Sequence, residues 1–227
     1  MSRQTRHRLG RLAAGALAAL AAVSLAPAPA AAHPHVWIAA RLAVVTDAAG
    51  RIAALDVDWT FDEMYSAYAT ADMPKGKDGK PTAEALATLA RQMLANLAEW
   101  RYFTEVARME VGDIADNQRF GTPEEATARL DGKGLAVAFR LPLAAPLLPD
   151  GQRLVIRQYD PSFYVAIEPA KNGIALATPL AATCTTDIAA AQPPQTALNL
   201  SEGSFRASGG TGGIGAMFAA SVTVECR

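Results

Sequence analysis

The amino-acid sequence predicts an α+β fold, with a mainly antiparallel sheet, one or two helices packed on it, and C-terminal strands joined by a disulfide. Three observations support this fold class. Short segments with alternating apolar and polar residues recur along the chain, separated by turn residues, as is typical of antiparallel strands. One longer segment, from Thr82 to Trp100, has helical periodicity instead. Both cysteines lie late in the chain, in strand-like segments.

The first 32 residues have the pattern of an export signal. Four arginines and no acid precede an apolar run from Leu12 to Leu25, and small residues follow from Pro27 to Ala32. The apolar run is too short to span a bilayer comfortably. We expect cleavage after Ala32, with a cut after Ala30 as the alternative. Residues 33–227 should then form a single periplasmic domain with no transmembrane segment.

The charge of the expected mature chain disfavours two classes of partner. Four of the 21 basic residues lie in the signal, which leaves 17 basic against 22 acidic side chains and a net charge of −5. A mildly acidic protein lacks the basic surface that nucleic acid or anionic lipid requires. The sequence also contains no nucleophile elbow, phosphate loop or dinucleotide fingerprint.

A strand hairpin and a short helix are predicted after the signal. The segments Val36 to Thr46 and Arg51 to Phe61 should pair through a turn at Asp47 to Gly50. Asp62 has the chemistry of a helix N-cap, and the helix should run through Tyr68.

A longer helix and a series of short strands are expected in the rest of the chain. The helix follows a polar loop, Met73 to Pro81, and is capped by Thr82. Its apolar face comprises Leu86, Leu89, Ala90, Met93, Leu97 and Trp100. The further strands are predicted at Phe103–Val111, Ile114–Phe120, Glu124–Leu130, Leu135–Leu141, Arg153–Tyr159, Phe163–Ile167, Ala182–Thr186 and Ala219–Glu225.

The two cysteines, Cys184 and Cys226, form an even pair that should meet an oxidising compartment after export. A bond between them would tie the last strand to the preceding one, although two free buried thiols are the alternative. The Pro-rich and Gly-rich stretch at about residues 190–216 is expected to be a mobile loop.

Two histidines, His33 and His35, are all that remain once the signal is removed. In an extended chain both imidazoles point to one side, and a cut after Ala32 would add the free amine of His33. These groups are ligands for zinc, nickel, cobalt or copper near neutral pH. After a cut following Ala30, the chain would begin Ala-Ala-His. Copper or nickel could then be bound in a square plane by the terminal amine, two deprotonated backbone amides and the His33 imidazole, because Pro34, which has no amide hydrogen, lies after these ligands.

Three acids could complete such a site, and each also has a structural interpretation. Asp62 and Glu63 follow the second strand, so pairing of the first two strands would bring them towards the histidines. Alternatively, Asp62 caps the short helix and Glu63 interacts with the helix dipole. Asp160 precedes Pro161 and has the pattern of a turn initiator as well as of a ligand.

Three motifs, in this order, resemble a known periplasmic family of unknown function. They are His33-Pro-His-Val-Trp-Ile38, Trp59-Thr-Phe-Asp-Glu-Met-Tyr65 and Tyr159-Asp-Pro-Ser-Phe-Tyr-Val165. Members of that family are described as the periplasmic component of an uncharacterised ABC-type transport system and often accompany permeases of the nickel/cobalt type. The resemblance covers nearly the whole mature chain. It implies a role in handling zinc, nickel or cobalt, with an inner-membrane metal permease as partner.

We therefore expect a periplasmic accessory protein, not an enzyme, that binds a divalent transition metal for a membrane metal transporter. Two alternatives remain open. One is a copper-dependent oxidative enzyme that uses an N-terminal histidine site. The other is a transporter subunit that binds no metal and acts through protein contacts.

Overall fold

The computed structural model describes residues 34–110, 113–149, 151, 153–198 and 213–227. The described residues fall within one compact unit, His33–Arg227. The predicted signal, His33, and residues 199–212 of the expected mobile loop lie outside the described residues.

The described residues form ten strands, β1 to β10, and four α-helices, α1 to α4. The strands are β1 Val36–Thr46, β2 Ile52–Phe61, β3 Thr104–Glu110, β4 Asp113–Asn117, β5 Glu124–Asp131, β6 Gly134–Leu147, β7 Arg153–Gln158, β8 Val165–Leu176, β9 Cys184–Ala189 and β10 Ser221–Cys226. The α-helices are α1 Glu63–Thr70, α2 Ala83–Leu97, α3 Thr178–Ala181 and α4 Gln195–Leu198, and the 3-10 helices are Ala98–Phe103 and Ile214–Phe218.

The strands form two five-stranded sheets, which confirms the predicted α+β class and adds a second sheet to it. The first sheet has the order β5-β6-β2-β1-β8, and the second has the order β4-β3-β7-β10-β9. Neighbouring strands are antiparallel in both sheets except for β1 and β8, which run parallel. The chain passes from the second sheet to the first between β7 and β8, through the segment that contains Asp160.

The core is built from alternating inward side chains of both sheets. In β1 every second residue from Val36 to Val44 is buried, as a strand with one solvated face requires. Trp59 of β2 is 1% exposed and meets Phe139 of β6 edge to face, with ring centroids 5.1 Å apart. Ile156 of the second sheet belongs to the same buried cluster.

The hairpin between β1 and β2 forms as predicted. The Asp47 carboxylate closes its turn by accepting hydrogen bonds from the Ala49 and Arg51 amides, each at 2.9 Å. A side-chain hydrogen bond from Arg51 is the main reason why the pKa of Asp47 lies below its usual value. Gly50 adopts a φ of 77°, which glycine reaches without strain.

Both predicted helix caps are present. Asp62 accepts a hydrogen bond from the Tyr65 amide at the start of α1, and Thr82 accepts one from Ala85 at the start of α2. Helix α2 ends at Leu97, earlier than its apolar pattern suggests, and Trp100 lies in the following 3-10 helix.

The early end of α2 coincides with a reversal of the backbone. Arg101, Tyr102 and Phe103 have φ values of 55°, 54° and 50°, and they turn the chain into β3. This left-handed conformation costs roughly 1–2 kcal/mol per residue. Trp100 itself already departs from helical geometry, with a φ of −97° and a ψ of 17°, so the helix ends before the last residue of its apolar pattern.

The disulfide predicted between Cys184 and Cys226 is present, and the two residues are partners in the register of β9 and β10. Both cysteines are 7% exposed and belong to the core. β9 is an edge strand whose remaining residues are exposed, so the bond holds a strand that buries little apolar surface of its own. Within the described part of the chain, no helix is long and apolar enough to cross a membrane.

Candidate functional site

The three recognisable motifs of the sequence meet at the beginning of β1. β1 lies between β2 and β8, antiparallel to the first and parallel to the second. This arrangement brings the start of β1 beside the end of β2 and the start of β8. His35, Asp62 and Tyr164 are therefore drawn to one edge of the first sheet from three distant parts of the sequence.

On the β8 side, His35 is held by Tyr164. The Tyr164 carbonyl accepts hydrogen bonds from the amides of His35 at 2.9 Å and of Val36 at 3.3 Å. The His35 and Tyr164 rings also pack together, with centroids 4.8 Å apart and planes tilted by 36°. The sequence gave no signal that Tyr164 would pack against His35.

On the β2 side, Asp62 joins β1 to α1. Its Oδ2 accepts a hydrogen bond from the Trp37 amide and its Oδ1 accepts one from the Tyr65 amide, both at 2.9 Å. The Asp62 amide donates in turn to the Trp37 carbonyl at 2.9 Å. Asp62 thus caps α1 and also bonds to Trp37, the residue two positions after His35.

Glu63 is exposed and forms an ion pair with Lys133. Its Oε2 lies 3.1 Å from the Lys133 Nζ, and the two side chains are 68% and 78% exposed. An ion pair this exposed contributes little to stability. The pair directs Glu63 towards the turn between β5 and β6, where Lys133 lies.

Asp160 is buried, with 6% exposure, and its carboxylate organises the turn that precedes β8. It accepts hydrogen bonds from the Ser162 amide at 2.9 Å, from the Ser162 hydroxyl at 2.8 Å, and from the Val165 amide at 3.0 Å. A metal bound by Asp160 would have to displace these hydrogen bonds and reach a buried carboxylate. The Asp62 carboxylate is only partly buried and is more accessible.

Tyr65 of α1 packs on the last residue of β2. Its ring stacks on Phe61 with a centroid distance of 4.8 Å and an interplanar angle of 27°. Burial is the main cause that raises the pKa of Tyr65, and the nearby charges of Tyr68, Asp62 and Tyr164 raise it further.

Four large apolar or aromatic side chains around this edge face solvent, and we refer to them as the aromatic rim. They are Trp37 at 46% exposure, Met64 at 68%, Tyr68 at 82% and Tyr164 at 50%. Trp37 points outward because it alternates with the buried Val36 and Ile38 in β1. Tyr164 packs against His35 and Trp37 follows it by two residues, whereas Met64 and Tyr68 belong to α1, which Asp62 caps.

The described residues contain no group of three or more His, Cys, Asp or Glu side chains placed to hold a metal ion. His35 is exposed at the strand end, and the second candidate imidazole, His33, lies outside the described residues. The cysteines are consumed by the disulfide. The candidate ligands His33, His35, Asp62, Glu63 and Asp160 therefore remain predictions, and the structure brings His35 and Asp62 to the same strand end.

The fold and site define a disulfide-linked α+β protein with two sheets and an exposed histidine, His35, directly before β1. Comparison with protein families places residues 18–226 in the family described as "Protein of unknown function (DUF1007)", and the chain belongs to that family. An uncharacterised protein of Haemophilus influenzae is 25% identical over 153 residues, which cover 67% of this chain and 70% of that protein. No solved structure gives a significant match.

Proposed function

We propose that this chain is an exported, periplasmic accessory protein that binds a divalent transition metal for an inner-membrane metal permease. The metal is zinc, nickel, cobalt or copper, and His33 and His35 are its principal ligands. The observation that carries the proposal is the convergence of three motif segments on His35 at one end of β1. The disulfide supports export, because such bonds persist in oxidising compartments.

The backbone around His35 is well suited to present a ligand. Hydrogen bonds from the His35 and Val36 amides to Tyr164 fix the strand end, and the Tyr164 ring supports the imidazole. A ligand held in this way loses little conformational freedom when a metal binds. His33 is two residues earlier, so an extended chain places its imidazole on the same side.

Asp62 is the acid that we propose as the third ligand. Each of its carboxylate oxygens accepts one amide hydrogen bond and keeps a further lone pair. Glu63 would have to leave Lys133, and Asp160 would have to give up buried hydrogen bonds. A site with two imidazoles, one carboxylate and an exposed position remains open to ligand exchange, as delivery to a permease requires.

Calorimetric titration of zinc, nickel and copper into the correctly processed protein tests this proposal. The matched variant is His33→Ala/His35→Ala, because no other imidazole remains in the mature chain. We expect the double variant to lose more than about 100-fold in metal affinity. Residues that only orient the ligands typically cost roughly 10–100-fold when they are replaced. The thermal stability of the metal-free protein should hardly change. Equal affinity in the two proteins would contradict the proposal.

The exposed aromatic rim supports a second candidate, an interaction subunit of a transporter that binds no metal. Trp37, Tyr68 and Tyr164 are the kind of residues that dominate protein interfaces. Such a subunit would retain its membrane partner in the His33→Ala/His35→Ala variant and lose it in a Trp37→Ala/Tyr68→Ala variant. Oxygen reduction by the copper-loaded protein would instead support a copper-dependent enzyme.

A further inference from the structure

We infer that Gly215 and Phe218 are positioning residues for His35, acting through the turn at Asp160–Tyr164. The two residues lie in the second 3-10 helix, Ile214–Phe218, which immediately precedes β10 and which we call the C-terminal strap. The expected effect of these residues on metal affinity rests on the proposed function. The mechanical link itself follows from the contacts between strap, turn and His35.

Gly215 is the point of closest approach between the strap and the turn. Its amide donates a hydrogen bond to the Pro161 carbonyl at 3.0 Å. A Cβ atom built on Gly215 would lie 1.8 Å from the Asp160 carbonyl oxygen and 2.9 Å from the Asp160 carbonyl carbon. No side chain fits in that space, so any other residue at position 215 must displace the turn.

A ring stack fastens the other end of the strap. The Phe163 and Phe218 rings lie nearly parallel, with centroids 4.0 Å apart and an angle of 15° between their planes. Phe163 has a φ of 57°, a conformation that costs a non-glycine residue roughly 1 kcal/mol or more. The stack on Phe218 favours this conformation because it holds the ring where the left-handed backbone places it.

The turn transmits the position of the strap to His35. Asp160 ties the turn together through Ser162 and Val165. Tyr164, at the end of the turn, then binds the His35 amide and packs against the His35 ring. A shift of the turn at Asp160 therefore moves the group that orients the imidazole.

This link joins the C-terminal strands to the turn that contacts His35. The strap leads into β10, whose last residue is held by the disulfide to β9. β10 in turn pairs with β7, which leads into the same turn. The hairpin of β9 and β10 thus helps to fix the position of the turn that contacts His35.

The test compares Gly215→Ala with Val224→Ala in the processed full-length protein. Val224 is fully buried in β10, so its truncation lowers stability without touching the turn. Proton NMR of the metal-free protein reads the His35 ring signals, assigned with a His35→Gln variant, and zinc titration reads affinity. In Gly215→Ala we expect the His35 signals to move towards unstacked values and zinc affinity to fall by about 10–100-fold. In Val224→Ala the melting temperature should fall while both site readouts stay constant.

Phe218→Leu provides the second variant, because it keeps an apolar side chain but loses the ring stack. If Gly215→Ala does not fold, the same two readouts on Phe218→Leu decide the question. Unchanged His35 signals in a folded strap variant would overturn the inference. Failure of the unsubstituted protein to bind zinc, nickel or copper would defeat the proposed function, while the NMR comparison would still judge the positioning.

Discussion

Substitution of Asp62 separates the structural role of this residue from its proposed role as a ligand. Asp62 makes two bonds that can be removed one at a time. Asp62→Ser keeps a side-chain oxygen for the Tyr65 amide and loses the bond to the Trp37 amide. Asp62→Ala loses both.

The expected destabilisation follows from these two bonds. Loss of an N-cap costs about 1 kcal/mol. A hydrogen bond to a charged acceptor is worth about 1.5–3 kcal/mol, and the partial exposure of Asp62 favours the lower end, about 1.5 kcal/mol. We therefore expect a loss of about 1.5 kcal/mol for Asp62→Ser and about 2.5 kcal/mol for Asp62→Ala. These values correspond to decreases in melting temperature of roughly 3–6 °C and 5–10 °C for a domain of this size.

Urea and thermal unfolding of the metal-free protein measure these losses, with Glu63→Ala as the control. The control removes only an exposed ion pair and should cost about 0.5 kcal/mol or less. Equal stability of Asp62→Ser and Asp62→Ala would refute the contribution of the cap. Zinc titration of Asp62→Ser then tests the ligand role, because a purely structural Asp62 would leave the affinity unchanged.

Two further predictions concern the disulfide and the buried tyrosine. Replacing the cysteines in Cys184→Ala/Cys226→Ala should lower the free energy of unfolding by about 4 kcal/mol from the entropy of the closed loop, since the two are 42 residues apart. Urea unfolding checks this value, and a loss below about 1 kcal/mol would contradict it. The pKa of Tyr65 is raised in the folded protein from its ordinary value of 10.0. Above pH 10.0 the unfolded chain ionises first, so the contribution of Tyr65 to stability is complete below that pH and is lost as the pH rises through the folded pKa. Unfolding measurements across this range should show a smaller decline in Tyr65→Phe than in the unsubstituted protein, and parallel curves would contradict the prediction.

Local patterns predicted those parts of the molecule whose structure depends on neighbouring residues. The predicted strand from Val36 to Thr46 has the same bounds as β1, and the turn at Asp47 to Gly50 forms the expected hairpin. Asp62 and Thr82 cap their helices because capping involves a side chain and an amide three residues apart.

β8 shows where local patterns fail. Its predicted end was Ile167, but the strand continues to Leu176 through Pro169 and Gly173. These residues normally indicate a loop, yet β8 is an edge strand with an irregular register beside β1, where both are tolerated. Only pairing with β1 keeps this segment in the sheet.

The candidate site divides in the same way. The sequence by itself determined the residue types: two histidines separated by one proline at the expected mature terminus, two acids after β2, and a turn at Asp160. Only the tertiary structure decided that β1 runs between β2 and β8, and hence that Tyr164 packs against His35 and Asp62 bonds to Trp37. The physical reason is that local signals act over a few residues, whereas strand order depends on how distant apolar faces share one core.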